Sequence, residues 1–334
     1  MAAEPQNITE DIPAEDESGK RVKPKFDVLQ PFDPVEVILL DKEQSLKETS
    51  DKDSEPDGAL GERLPAFSFT ARPSATPPGT GMAGLIETTK NKPSVVFLPD
   101  ERYTFADSRF PWSLVGKIRT ASGSASGVVV GPRHVLTASH AINWRRDSAG
   151  RIGWATFTPA YYDGRGPWGE FAARQIVAWR EITGPSLTDE QTAFDYAVLV
   201  LHDTINDKVG GFAGHRPYDA AWNGQAVWQT IGYPADLNSG ERPAFQNGCI
   251  ISSKDDHTWN GRTGSVLGHF NDIFPGQDGG PCWGTWTGEP APRVVGVQST
   301  EPRVPILGSK SGDNEYAGGN AMSDLISWVI TNRP

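Results

Sequence analysis

The sequence predicts an all-β fold, a barrel pair or a sandwich, closed by one C-terminal helix. Three observations carry this. About a dozen short apolar runs follow Ser94, each bounded by Gly, Pro, Asn or Asp. Glycine occurs 36 times and proline 27 times, which supplies many turns, and long helical periodicity is scarce. At the end, "NAMSDLISWVITNRP" changes period: Leu325, Trp328 and Val329 recur at helical spacing behind Ser323, the expected N-cap.

The 334 residues are 37% hydrophobic, enough for one large or two small cores. Residues 1–93 read as a separate acidic region, rich in Asp, Glu, Lys, Ser and Pro and expected to be mostly disordered. Residues 1–60 hold sixteen Asp/Glu against seven Lys/Arg, so nine of the eleven net negative charges sit there. With no basic stripe to neutralise phosphates, nucleic-acid binding is not expected. No apolar run approaches the ~18 residues of a membrane span, so no membrane partner is expected. The start, "MAAEPQNITEDIPAEDESGK", lacks an apolar signal segment, as in a chain kept inside the cell or one numbered after the signal was removed. Asn7-Ile8-Thr9 matches a glycosylation sequon, which matters only if the chain is secreted. Within this region, "VEVILL" at 35–40 is the one short apolar run able to dock as an added strand.

From Ser94 to the end, the expected strands run "SVVFL", "SLVGKIRT", "GVVVG", "HVLTAS", "ATFTPAYY", "QIVAWREI", "DYAVLVL", "AVWQTIGY", "GCIISS", "SVLGHF", "GPCWGTW" and "RVVGVQST". Cys249 and Cys282 fall in two of them and allow one bridge or two buried thiols.

Three stretches carry chemistry. In "SGVVVGPRHVLTASHAI" a buried strand runs straight into His140, and a strand end holds a side chain more rigidly than a free loop does. The other histidines, His134, His202, His215, His257 and His269, have no such context and read as structural. In "TAFDYAVLVL", Asp195 stands just before a buried strand, where Asp either caps a turn or orients an imidazole. It lies 55 residues after His140. In "NDIFPGQDGGPCW", Gly276, Gly279 and Gly280 suit a tight loop whose backbone comes close to a ligand.

The order His, Asp, then Gly-x-x-Gly-Gly-Pro resembles the chymotrypsin-like serine peptidases, in the glutamyl-endopeptidase branch of bacteria and fungi. "LPDERYTFADSRFPWSLVGKI", "GPRHVLTASH", "IGYPADL" and "PGQDGGPCW" with "VVGVQS" carry the likeness over about residues 94–334. It implies two antiparallel six-stranded β-barrels with a peptide or protein ligand in the cleft between them, and no cofactor or metal. His140 and Asp195 would be catalytic, with an oxyanion hole from the backbone N–H groups of Gly276 and position 278. Gln277 stands where animal trypsins carry the Asp that pairs with a freed N-terminus, so activation by N-terminal insertion is not expected. The N-terminal region sits where a propeptide would, with its end near "KNKPSVV", and is expected to act as an intramolecular pro-segment. Members of the branch are usually secreted.

The chain departs from the family at the nucleophile, where Asp278 replaces Ser. A carboxylate has no proton to give His140, and its charge opposes an oxyanion. The expectation is therefore a pseudopeptidase. The rivals are an endopeptidase active by another route, an active endopeptidase whose nucleophile position is altered in the sequence as given, or a metal site of His140, Asp195 and Asp278. Gln298 replaces the pocket His of glutamyl endopeptidases, so a preference for acidic side chains is not expected. Asp272 stands six residues before Asp278, where trypsins carry a pocket Asp, and is the candidate for basic side chains.

Overall fold

The computed structural model describes residues 34–39, 96, 99–121, 123–184, 186–286, 288–301 and 313–334, together with two short strands near the start. Those two, β1 (Ala14–Glu15) and β2 (Arg21–Val22), pair antiparallel within a unit of their own. Residues 33–334 form the second unit. The sequon, the expected pro-segment end and most of "SVVFL" lie outside the described residues.

The first barrel comprises β5 (Val115–Thr120), β6 (Gly123–Gly131), β7 (His134–Thr137), β8 (Ala155–Pro159), β9 (Phe171–Ala178) and β10 (Ala197–Leu201). Their order is β10-β7-β6-β5-β8-β9, and β9 pairs back onto β10, so the six strands close. Every residue of β7, β8 and β10 is buried, which matches their nearly continuous apolar sequences.

The "VEVILL" run does add a strand, β3 (Val35–Ile38), antiparallel to β9 with Val37 opposite Ile176. Period-two alternation decides its faces: Val37 and Leu39 are 3% exposed, whereas Ile38 is 66% exposed. Glu36, just before Val37, pairs with Arg333 and accepts from Gln175 Nε2 at 2.6 Å.

The second barrel follows β4 (Tyr103–Thr104) and β11 (Gly214–His215). Its strands are β12 (Trp228–Gly232), β13 (Ala244–Cys249), β14 (Ile251–Trp259), β15 (Arg262–His269), β16 (Pro281–Gly284), β17 (Arg293–Thr300) and β18 (Asn314–Gly318). Hydrogen bonds run β14-β15-β18-β17-β16-β12-β13. Only Ile250 separates β13 from β14, so the two ends of this order are one continuous stretch of chain.

Cys249 and Cys282 are both free and buried. They sit on opposite sides of β12, with Cys249 beside Trp228 and Cys282 beside Thr230. Two strand spacings are about 10 Å, beyond the ~7 Å Cα limit of a disulfide.

The C-terminal helix spans Asn320–Asn332 and buries Ala321, Met322, Leu325, Ile326 and Val329 along one face. Its start corrects the sequence reading. Ser323 lies inside the helix, and the N-cap is Gly319 at φ 90, with no side-chain cap. A Cβ at Gly319 would meet Ser265 Oγ at 2.5 Å, so only glycine turns the chain from β18 straight into the helix. The far end is tied to the first barrel: His134 Nε2 lies 2.9 Å from Arg333 O, a structural role for that histidine.

Candidate active site

Three segments converge between the barrels. The first is the turn after β7. Ser139–Ala141 forms a single 3₁₀ turn, and Ser139 locks it: its Oγ donates to Arg180 O at 3.0 Å and accepts from Ile182 N at 3.1 Å. Trp144 Nε1 donates to Ser139 O at 2.9 Å. His140 is thereby projected from a turn that cannot swing.

The second segment leads into β10. A short helix, Asp189–Thr192, is closed by a capping box of Thr188 and Gln191 and delivers the fully buried Asp195. Asp195 grips the histidine twice. Its Oδ1 accepts from His140 N at 2.8 Å, and its Oδ2 lies 2.6 Å from Nδ1. A carboxylate only accepts, so Nδ1 carries a proton and the ring is held in one orientation. Ser299 Oγ, from β17, donates to the same Oδ2 at 2.5 Å.

The third segment is the loop 274–280. Gly276 has φ +101 and Gly279 φ +80, and a Cβ would lie 2.4 Å from Tyr233 O at the first and 2.2 Å from Thr137 Oγ1 at the second. Neither position can carry a side chain without moving backbone. Ser126 of β6 pins the loop to the first barrel: its N donates to Asp278 O at 2.8 Å and its Oγ to Gly276 O at 2.7 Å.

In this setting Asp278 Oδ1 lies 3.7 Å from His140 Nε2, an ion-pair distance too long for a hydrogen bond. Its Oδ2 accepts from Gly276 N at 3.2 Å. One of the two backbone donors expected of an oxyanion hole, Gly276 N, is thus turned toward a side chain of the same loop.

The electrostatics follow from this packing. Burial disfavours the charged imidazole, but the charge and hydrogen bond of Asp195, then Asp278 and Glu301, outweigh it and lift His140 to about 9. Burial raises Asp278 above the usual carboxylate range, against the pull of His140 and the Gly276 N–H. Glu301 is raised by burial and by the charge of Asp278. At neutral pH the histidine is therefore a cation facing the carboxyl groups of Asp195, Asp278 and Glu301.

The structure brings His140, Asp195, Gly276 and Asp278 together. Asp272 is 2% exposed and accepts from Glu101 N at 2.9 Å and Gln246 Nε2 at 3.3 Å. Gln298 is 1% exposed and donates from Nε2 to Thr300 O and Glu315 O, both at 3.2 Å. Its backbone holds the loop, with Gly279 N donating to Gln298 O at 2.8 Å. Near it, His269 stacks on Tyr316 at 3.7 Å between ring centroids, and full burial pushes its pKa down to about 3. Ser126, Ser299 and Glu301 escape a sequence reading. Only the position of Ser299 right after "VVGVQ" offered a signal. Among the described residues, no three His, Cys, Asp or Glu side chains are grouped as a metal centre.

The double barrel with a site in its cleft is the fold of the trypsin-like serine peptidases. No family model matches the chain. The chain is 26% identical over 194 residues to a glutamyl endopeptidase of Bacillus licheniformis, covering 57% of this chain and 54% of that protein. It thus spans about half the length of this curated relative. A solved Glu endopeptidase, in complex with MPD, superposes with a TM-score of 0.54 at 17% identity, covering 71% of this chain and 100% of that one. The protease Anisep from Arthrobacter nicotinovorans matches with a TM-score of 0.48 at 21% identity, over 69% of this chain and 100% of that one. The Bacillus relative and the shared fold support the chymotrypsin-like serine peptidase family.

Proposed function

We propose that this chain is a peptidase homologue in which Asp278 occupies the nucleophile position, and that it binds peptide or protein segments in the inter-barrel cleft without cutting them. The observation that supports this reading is the carboxylate of Asp278, 3.7 Å from His140 Nε2 and bonded to the Gly276 N–H. Acyl transfer on this scaffold needs three things: a hydroxyl that His140 can deprotonate, a neutral imidazole to accept the proton, and free N–H groups for the oxyanion. Asp278 removes all three. It offers a carboxyl group where a hydroxyl is needed, it helps keep His140 protonated, and its oxygen occupies the Gly276 N–H. Loss of the nucleophile alone costs on the order of 10⁶ in kcat in a serine peptidase such as subtilisin, and a charge in the hole adds to that.

The remaining cleft can still hold an extended chain, since strand edges and backbone groups bind peptides without chemistry. The test passes a diverse peptide library over the immobilised protein and reads bound and released peptides by mass spectrometry. A retained, uncut subset is expected. Cuts that vanish in His140→Ala would overturn the reading in favour of an endopeptidase that works by another route.

A further inference from the structure

Arg102 is 1% exposed, yet it lies in a loop-like segment before β4. Every bond of its guanidinium goes to residues that frame the site loop. Nε and Nη2 donate to Asp100 Oδ1 and Oδ2 at 3.1 and 2.9 Å. Nη1 and Nη2 donate to Asp236 Oδ1 and Oδ2 at 3.2 and 2.6 Å. Nη1 also donates to Gln277 Oε1 at 3.1 Å. Two bidentate carboxylates and one amide saturate the planar fork, a pattern a lysine ammonium cannot reproduce.

The two loops so gripped are already in register with each other. Ala235 N donates to Pro275 O at 2.9 Å, and Gly276 passes directly under Tyr233 O. Gln277 Oε1, the acceptor for Arg102, also accepts from Phe274 N at 2.9 Å, and Gln277 O accepts from Gly280 N at 2.7 Å. The glutamine thus closes the loop from inside while Arg102 holds it from outside. One residue earlier, Glu101 N donates to Asp272 Oδ2, which fastens the 100–102 segment across the second barrel.

We infer that Arg102 is a positioning residue: it sets the 274–280 loop, and through it places the Asp278 carboxylate and the Gly276 N–H against His140. Gln277 is neutral and its oxygen is filled by a side chain of the intact chain, so the loop takes its working shape without any scission. The inference rests on the proposed reading only in treating this loop as the oxyanion loop.

The test is a double-mutant cycle on the full chain, read as the NMR titration of the His140 ring. Asp278→Asn should lower the His140 pKa by about one unit or more in the wild type. In a background of Arg102→Met, Asp100→Asn and Asp236→Asn, which removes the buried charges together, the same substitution should shift it by less than about 0.3 unit. An equal shift in both backgrounds would show that Ser126 and the loop glycines suffice, and would overturn the role. Should the triple variant fail to fold, Gln277→Met removes the Arg102 link, together with the bond from Phe274 N, and allows the same comparison. In Asp278→Ser, adding Gln277→Met should slow labelling by a fluorophosphonate at least about 10-fold, roughly 1.4 kcal/mol of barrier. Failure of Asp278→Ser itself to label would count against the peptidase reading alone, since the titration cycle needs no catalysis.

Discussion

Replacing Asp278 by Asn removes one negative charge 3.7 Å from His140 Nε2 while keeping the side-chain shape. At that distance a unit pair is worth about 1 kcal/mol in bulk water and about 4.5 kcal/mol at an effective dielectric of 20. At 1.36 kcal/mol per pKa unit this is a fall of roughly one to three units. Both side chains keep some exposure, 22% for His140 and 23% for Asp278, so the lower end applies. The histidine of the variant should therefore titrate about one unit below the value near 9 that Asp195, Asp278 and Glu301 together sustain against burial. The imidazole C2–H resonance followed from pH 5 to 10 reads this directly. A stability measurement provides the second arm. The folded pKa is raised above the unfolded value of 6.5, so the stabilisation is complete below pH 6.5 and is lost as pH climbs through 9. A rise from 6.5 to about 9 corresponds to about 3 kcal/mol across that window, and urea midpoints should decline accordingly in the wild type and less in Asp278→Asn. An unchanged His140 pKa in the variant would refute the arrangement, because a ring this close to the carboxylate cannot be indifferent to its charge.

Ser299→Ala should cost about 1–3 kcal/mol by urea denaturation, because it withdraws a donor from the buried carboxylate of Asp195; the loss should shrink in an Asp195→Asn background. Gly279→Ala must fit a Cβ against Thr137 Oγ1, Ser126 O and Ala138 N at φ +80, and a destabilisation above about 2 kcal/mol is expected in the same assay. Leu39→Ala should cost about 2 kcal/mol or more, as its side chain is buried in the first barrel's core; a neutral result would mean that β3 is not part of the folded wall.

Much of this site is legible in the sequence, for reasons specific to each residue. His140 and Asp195 adjoin strands whose apolar runs are unmistakable, so both their identity and their rigidity are visible there. The glycines of the 274–280 loop announce close backbone approach, and the structure puts Tyr233 O and Thr137 Oγ1 where side chains would be. Ser126 and Arg102 are not legible, and Ser299 only through its place after "VVGVQ", because each meets the site through a partner about 100 to 175 residues away. The helix start is misplaced for a related reason: Ser323 is a good cap in isolation, but the contact between Gly319 and Ser265 decides where the chain can turn. The "VEVILL" alternation specifies a strand and its faces, while its partner, β9, depends on tertiary pairing. For the cysteines, two strand positions leave the choice open, and the order β13-β12-β16 settles it by inserting a strand between them.

The most direct measurement compares fluorophosphonate labelling of the wild type, Asp278→Ser, and Asp278→Ser with His140→Ala. A hydroxyl at position 278 would face an imidazole already oriented by Asp195 at 2.6 Å and would free the Gly276 N–H. Labelling of Asp278→Ser alone is the predicted result. Labelling of the wild type at a residue that depends on His140 would contradict the account, because it would place an activated hydroxyl in a site argued to have none.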